Sequence, residues 1–286
     1  MGRHPPMTEP IRVLSELDAL DGPAKAIAAK VRELIPHGPV KDALSGTWLG
    51  HPLHPVLTDF TLGTLTSAVV LDWLGGEDAA PAAERLIALG LLSAAPTVAS
   101  GYSDWGDAEP ASDSIRRVGI VHAAANATGA TLFAASLAAR RRGGRGRVLA
   151  LAGGGVMAAA GYLGGHLAFG EGIGVDQTVF EDDETGWTAV LEDAELADGQ
   201  ARCVHAELTP VMVTRSGGEL FALSDHCSHL GGPLHEGTIQ DGTVTCPLHD
   251  SVFALRDGAL VHGPAAYPQP AWDTRVRSGR IEVRRR

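Results

Sequence analysis

Two short strings in the C-terminal third carry side chains able to bind metal. Cys227-Ser228-His229 and Cys246-Pro247-Leu248-His249 each offer one thiolate and one imidazole, with residues 230–245 between them. A 2Fe–2S centre in which one iron takes two cysteines and the other two histidines needs this mixture, because each loop must reach both metals. Zinc is the rival, since cysteine and histidine also suit it tetrahedrally. Structural zinc fingers usually pair like with like, whereas this chain alternates the two types. Leu230, Pro233 and Leu248 lie close enough in sequence to shield the sulfurs from water. The third cysteine, Cys203, sits in an apolar stretch with no partner at ligand spacing and reads as a core thiol, while His226 and His235 read as surface residues flanking the first string.

The segments that must position these strings read as strands. Residues 211–215 and 219–223 flank Ser216-Gly217-Gly218, and 243–245 follows Asp241-Gly242. Residues 253–255 and 259–261 flank Asp257-Gly258, and 275–277 and 280–283 flank Ser278-Gly279. β-Branched runs between such turn signals predict a small all-β domain over 187–286. The acidic, Gly-containing stretch 171–186 reads as a linker on which that domain can move.

A second histidine set belongs to different material. From about residue 50 to 170 the chain is rich in Ala, Gly, Leu and Val. Spans 55–74, 86–102, 118–139 and 148–169 are apolar, and about 20 residues suffice to cross the hydrocarbon of a bilayer. The expectation is an all-α four-helix transmembrane domain over 50–170, packed through small residues such as Gly161 and Gly165. A buried soluble bundle is the alternative. If the chain reverses at each crossing, His51 and His54 at the start of span one, His122 near the start of span three and His166 near the end of span four share one level. Asp59 and Asn126 lie slightly deeper. Ionisable groups at membrane depth are costly and often mark a site. Four imidazoles could hold a haem b or another metal, or meet a quinone; they could also be interfacial groups bonded to helix ends, or line a proton or substrate path.

Residues 1–49 hold Ile27, Val31, Leu34 and Ile35 at helical spacing beside Lys25, Lys30 and Arg32, an amphipathic helix for the bilayer interface or for another protein surface. No signal peptide is visible. Arg140, Arg141, Arg142, Arg145 and Arg147 form the densest basic run, which the positive-inside rule places in the cytoplasm of a bacterial cell. Four crossings then put the C-terminal domain on the extracytoplasmic side. A net charge of −11 argues against a nucleic-acid partner, and three cysteines are too few for a disulfide framework.

The string KDALSGTWLGHPLHP at 41–55, with LDWLGG at 71–76, SGYSDW at 100–105 and GYLGGHL at 161–167, resembles a family of bacterial membrane domains of unknown function. That resemblance covers about 20–170 and implies a membrane location without an activity. CSHLGGPL at 227–234 and CPLHDSVF at 246–253 resemble the two cluster-binding loops of the Rieske family, over about 187–286. This implies an antiparallel β-sandwich with a cluster at one tip, Cys227 and Cys246 on the inner iron and His229 and His249 on the outer. Members in cytochrome bc complexes carry a further cysteine in each loop, joined as a disulfide; Gly232 and Leu248 stand there instead. Ser251 keeps a hydroxyl those members use on sulfur, whereas Phe253 replaces a tyrosine. Asp250 stands where glycine is usual. Fewer hydrogen bonds to sulfur and an added negative charge both favour the oxidised state, so the potential should fall low in the Rieske range of roughly −150 to +300 mV.

Three functions fit these features. The first is a membrane-anchored carrier of single electrons between a membrane-associated donor or acceptor and a redox protein or quinone. The second is a redox sensor. The third is an electron-supplying component of an oxygenase system, but not a complete oxygenase, because residues 250–286 leave no room for a mononuclear iron domain.

Overall fold

The computed structural model describes residues 8–181 and 186–286. Residues 182–185 of the expected acidic linker lie outside the described residues. Two compact units share the chain. One combines the residues up to Ile35 with Leu53–Ile173, the other Pro36–Pro52 with Gly174–Arg286.

Seven α-helices occur among the described residues: α1 (Thr8–Ser15), α2 (Asp21–Leu34), α3 (Pro39–Ser45), α4 (Leu53–Leu74), α5 (Ala80–Ala108), α6 (Asp113–Arg141) and α7 (Arg147–Phe169). The expected count of four is thus corrected. Among the described residues three stretches, not four, are long and apolar enough to cross a membrane: Glu77–Ala111, which contains α5, and the helices α6 and α7. α4 has the length, at 22 residues, but Asp59, Asp72 and four threonines dilute its apolar content. α5 exceeds the expected second span because helical geometry continues through Pro96. It gives way at Glu109-Pro110-Ala111, after which the Ser112 hydroxyl accepts from Ile115 N–H (3.0 Å) and starts α6.

Inside the helical unit Leu65 and Ala68 of α4 meet Ala83 and Ile87 of α5, Phe133 of α6, and Ala150 and Met157 of α7. Small residues permit this closeness. A Cβ on Gly90 would lie 2.6 Å from Leu65, and one on Gly129 2.6 Å from Met157. α2 packs inward through Ala24 and Ala28 and sets Val31 against Gly106, leaving Leu34 exposed. Arg117 reaches from α6 to Asp21 of α2 (2.8 and 3.1 Å).

The arginine run expected as a loop is partly helix, since α6 includes Arg140 and Arg141. Arg140 forms an ion pair with Asp72 of α4, at 6 % and 3 % side-chain exposure.

The second unit is all-β apart from α3 and short turns. A six-stranded antiparallel sheet runs β1-β10-β9-β4-β3-β2, made of β1 (Thr188–Glu192), β2 (Ala201–Ala206), β3 (Thr209–Ser216), β4 (Glu219–Ser224), β9 (Ala271–Arg277) and β10 (Arg280–Arg285). A four-stranded sheet runs β5-β6-β7-β8, made of β5 (Thr238–Gln240), β6 (Thr243–Thr245), β7 (Val252–Ala254) and β8 (Leu260–His262). The expected hairpin turns hold: Asp241 and Gly242 (φ 49° and 75°) join β5 to β6, and Ser278 and Gly279 (φ 53° and 81°) join β9 to β10. Paired left-handed residues match the twist of the strands they connect. α3 belongs to this unit. Asp42 accepts from Gly263 N–H (2.9 Å) and contacts His262 Nδ1 (3.2 Å), and the Thr47 hydroxyl donates to Ala265 O (3.0 Å).

Removing the counter-charge of a buried arginine costs about 3–5 kcal/mol. We therefore expect Asp72→Asn to lower the thermal midpoint of the detergent-solubilised protein, and Asp72→Leu combined with Arg140→Leu to recover most of the loss.

Candidate metal centre

The first half-motif leaves the end of β4 and the second bridges β6 and β7. In the first loop Cys227 N–H donates to Gly232 O (2.9 Å) and Gly231 N–H returns to Cys227 O (2.8 Å). The second loop repeats this economy, with Cys246 N–H on Ser251 O (2.8 Å) and Asp250 N–H on Cys246 O (3.1 Å). Asp250 takes φ 56°, a left-handed conformation that aspartate tolerates better than most residues. This is the physical reason a glycine suits that position.

The two loops bring all four expected residues together. Cys227 and Cys246 are 1 % and 2 % exposed, in a core with Met212, Leu223, Leu234, Val244 and Phe253. Their sulfurs are within hydrogen-bonding reach of one another. The backbone N–H groups of His229 and Leu230 point at Cys227 Sγ, and those of Leu248 and His249 at Cys246 Sγ. The shared hydrogen bond, and then burial, raises the Cys227 thiol. The same bond draws Cys246 down to about 7. The His229 and His249 rings stand perpendicular, centroids 5.1 Å apart, and both are half-buried. Burial, then the neighbouring His249, Lys41 and His37, holds His229 well below the usual imidazole range, in the neutral form that binds metal.

Two thiols cradled by amide donors and two imidazoles on facing loops fit the donor set of a Rieske-type 2Fe–2S cluster. The same closeness bears on Gly232. A Cβ there would lie 2.8 Å from Cys246 Sγ and 3.0 Å from Leu248 Cγ, so with these two side chains opposite, a larger residue requires them to shift. Leu248 lies across that glycine while remaining 53 % exposed.

Several contributors were not legible in the sequence. Gln269, 1 % exposed, accepts from Ser228 N–H (3.0 Å) and donates to Ser224 O (2.7 Å) and His226 O (2.6 Å), bracing the first loop from behind. Ser228 Oγ donates to Tyr267 O (2.9 Å). Ser251, singled out already in the sequence, accepts at Oγ from Ala265 N–H (3.0 Å). His37 Nε2 lies 3.5 Å from Asp250. His235, expected at the surface, is instead half-buried with its ring on Asp225 (2.9 Å).

The other histidines engage the protein itself. His54 Nδ1 bonds Thr97 O of α5 (3.0 Å) and its ring fills the space beside Gly101. His122 Nδ1 bonds Ala160 O of α7 (2.8 Å), its Nε2 meets Asn126 (3.1 Å), and its ring lies beside Gly164. His166 pairs with Glu171 (3.3 Å). His51 belongs to the β unit, with its ring 6.3 Å from that of Tyr267.

Residues 186–273 match the Rieske [2Fe-2S] domain, and residues 50–177 match a predicted membrane protein family (DUF2231). The ferredoxin subunit of anthranilate 1,2-dioxygenase from Burkholderia cepacia is 42 % identical over 74 residues, 26 % of this chain and 68 % of that one. The ferredoxin subunit of 3-phenylpropionate/cinnamic acid dioxygenase from Photorhabdus laumondii is 41 % identical over 91 residues, 31 % of this chain and 85 % of that one. Among solved structures, the ferredoxin of carbazole 1,9a-dioxygenase from Nocardioides aromaticivorans IC177 aligns with TM-score 0.34 and 29 % identity, over 36 % of this chain and 100 % of that one. Through its β unit, the chain belongs to the Rieske [2Fe-2S] family.

Proposed function

We propose that this protein is a Rieske-type electron carrier held at a membrane by its helical unit, with Cys227, His229, Cys246 and His249 as its four cluster ligands. The observation that carries the reading is the convergence of two buried, amide-cradled cysteine sulfurs with two half-buried imidazoles on facing loops. When bound, the 2Fe–2S cluster supplies one reversibly held electron. The two cysteines keep their sulfurs in a dry core, where backbone donors favour the thiolate form. His229 and His249 are the ligands a redox partner approaches, and exposed Leu248 gives that partner an apolar contact beside them. The relatives are ferredoxin subunits of dioxygenases, so an oxygenase or reductase component is the partner class we favour. The histidines of the helical unit enter as packing groups: His54 ties α4 to α5 and His122 ties α6 to α7, each tucked against a glycine.

Anaerobically purified protein should contain about two irons and two acid-labile sulfides per chain and, after dithionite, show the paramagnetic signal of a reduced Rieske centre. Cys246→Ala should lose all three, and wild-type protein holding zinc without sulfide would sink the proposal. Asp250→Asn removes a charge one residue from a ligand. It should raise the midpoint potential by roughly 20–50 mV, the size of a partly screened unit charge, as read by redox titration. His122→Ala should lower the thermal midpoint while leaving the cluster spectrum intact. Haem absorption bands in the wild type that vanish in this variant would instead restore a redox role for the helical histidines.

A further inference from the structure

Behind the first loop, three different metal-binding side chains meet. Cys203 lies on β2, Asp225 follows the last residue of β4, and His235 sits in the short turn Leu234–Glu236. Their ligand atoms all lie within 4.8 Å of one another. The Asp225 carboxylate is 4 % exposed and is the hub. It accepts from His235 Nδ1 (2.9 and 3.0 Å) and from His235 backbone N–H (2.8 Å), and it lies beside the Cys203 thiol, which itself donates to Val204 O (3.9 Å).

The order of the groups decides between two chemistries. A thiol nucleophile needs an imidazole beside it to take its proton. Here the His235 Nδ1 is engaged by the Asp225 carboxylate, and burial followed by that neighbouring charge pushes the Cys203 thiol up to about 11, against the thiolate. A cation reverses this, because it binds the thiolate and the carboxylate together and uses an imidazole that the fold already presents.

We propose that Cys203 Sγ, the Asp225 carboxylate and a ring nitrogen of His235 form a second metal site for a divalent cation of the zinc type, separate from the cluster ligands. Zinc bonds of about 2.0–2.3 Å put tetrahedral ligand atoms roughly 3.3–3.8 Å apart, so small side-chain movements close the present trio around an ion. Cys203 and His235 are only partly buried, which leaves a fourth position to water. On binding, the Cys203 proton leaves to solvent and a sulfur–metal bond replaces it. Asp225 and His235 bracket the first half-motif, and Leu234 N–H on Asp225 O (2.9 Å) already holds the ends of that loop together. Asp225 N–H on Pro210 O (2.9 Å) anchors them to β3. A metal here staples β2 to the base of the loop that carries Cys227 and His229.

The test uses the full-length, cluster-replete protein in detergent, with iron and labile sulfide counted in the same sample. Zinc is titrated against a chromophoric chelator, and the zinc X-ray absorption edge is recorded on the saturated protein. One equivalent should bind, with one sulfur at about 2.3 Å and nitrogen or oxygen at about 2.0–2.2 Å. Cys203→Ala and His235→Gln should each weaken binding at least tenfold without changing the iron and sulfide content. No retained zinc in iron-replete protein, zinc without a sulfur neighbour, or zinc bound equally by Cys203→Ala would overturn the assignment. If either variant fails to fold, the sulfur neighbour in the wild type decides. Zinc that enters only as iron is lost would show occupation of the Cys227 and Cys246 site, and would also count against the proposal.

Discussion

The β unit depends on bringing two cysteine sulfurs together in a place without water. Neither loop can do this alone, since each supplies one thiol and a few backbone donors. In this chain the close approach of the loops is eased by Gly232, where an added carbon would lie 2.8 Å from Cys246 Sγ. The surrounding core of Leu223, Leu234, Val244 and Phe253 excludes solvent, and the amide groups aimed at the sulfurs replace the hydration that was lost. Rigidity behind the loops follows from the same need. Gln269 spends both ends of its amide on the first loop, and Ser251 receives Ala265 N–H behind the second.

The helical unit answers a different constraint. Its long helices leave much apolar surface facing outward, including Leu92, Val148 and Phe169, so hydrophobic burial alone does not set which faces meet. Glycines that admit a neighbouring side chain do, and polar anchors add direction. The Thr61 hydroxyl bonds those of Ser93 and Thr97 (both 2.9 Å), and Asp72 pairs with Arg140. His54 and His122 combine the two devices, each filling the gap at a glycine while bonding a carbonyl of the next helix.

Much of the β unit was legible because its determinants are local. A cysteine and a histidine two or three positions apart must share a loop, and a Ser-Gly or Asp-Gly pair between β-branched runs must turn there. The apolar helices were legible as composition, but their number was not. α4 has a span's length with too many hydroxyls and acids, and α5 runs on through Pro96, so an apolar-stretch reading misjudged both.

The sequence by itself determined the four converging side chains and the turns that present them, because short-range spacing and backbone preference suffice for both. Only the tertiary structure decided which distant residues serve them. Asp42 and Thr47 precede the long helices, yet they bond Gly263 and Ala265 of the β unit. Cys203, Asp225 and His235 occupy a strand, a strand end and a turn, and become neighbours only when β2 pairs with β3 and β3 with β4. Contacts of this kind arise from chain closure over many residues, which leaves no periodic or spacing signal along the chain.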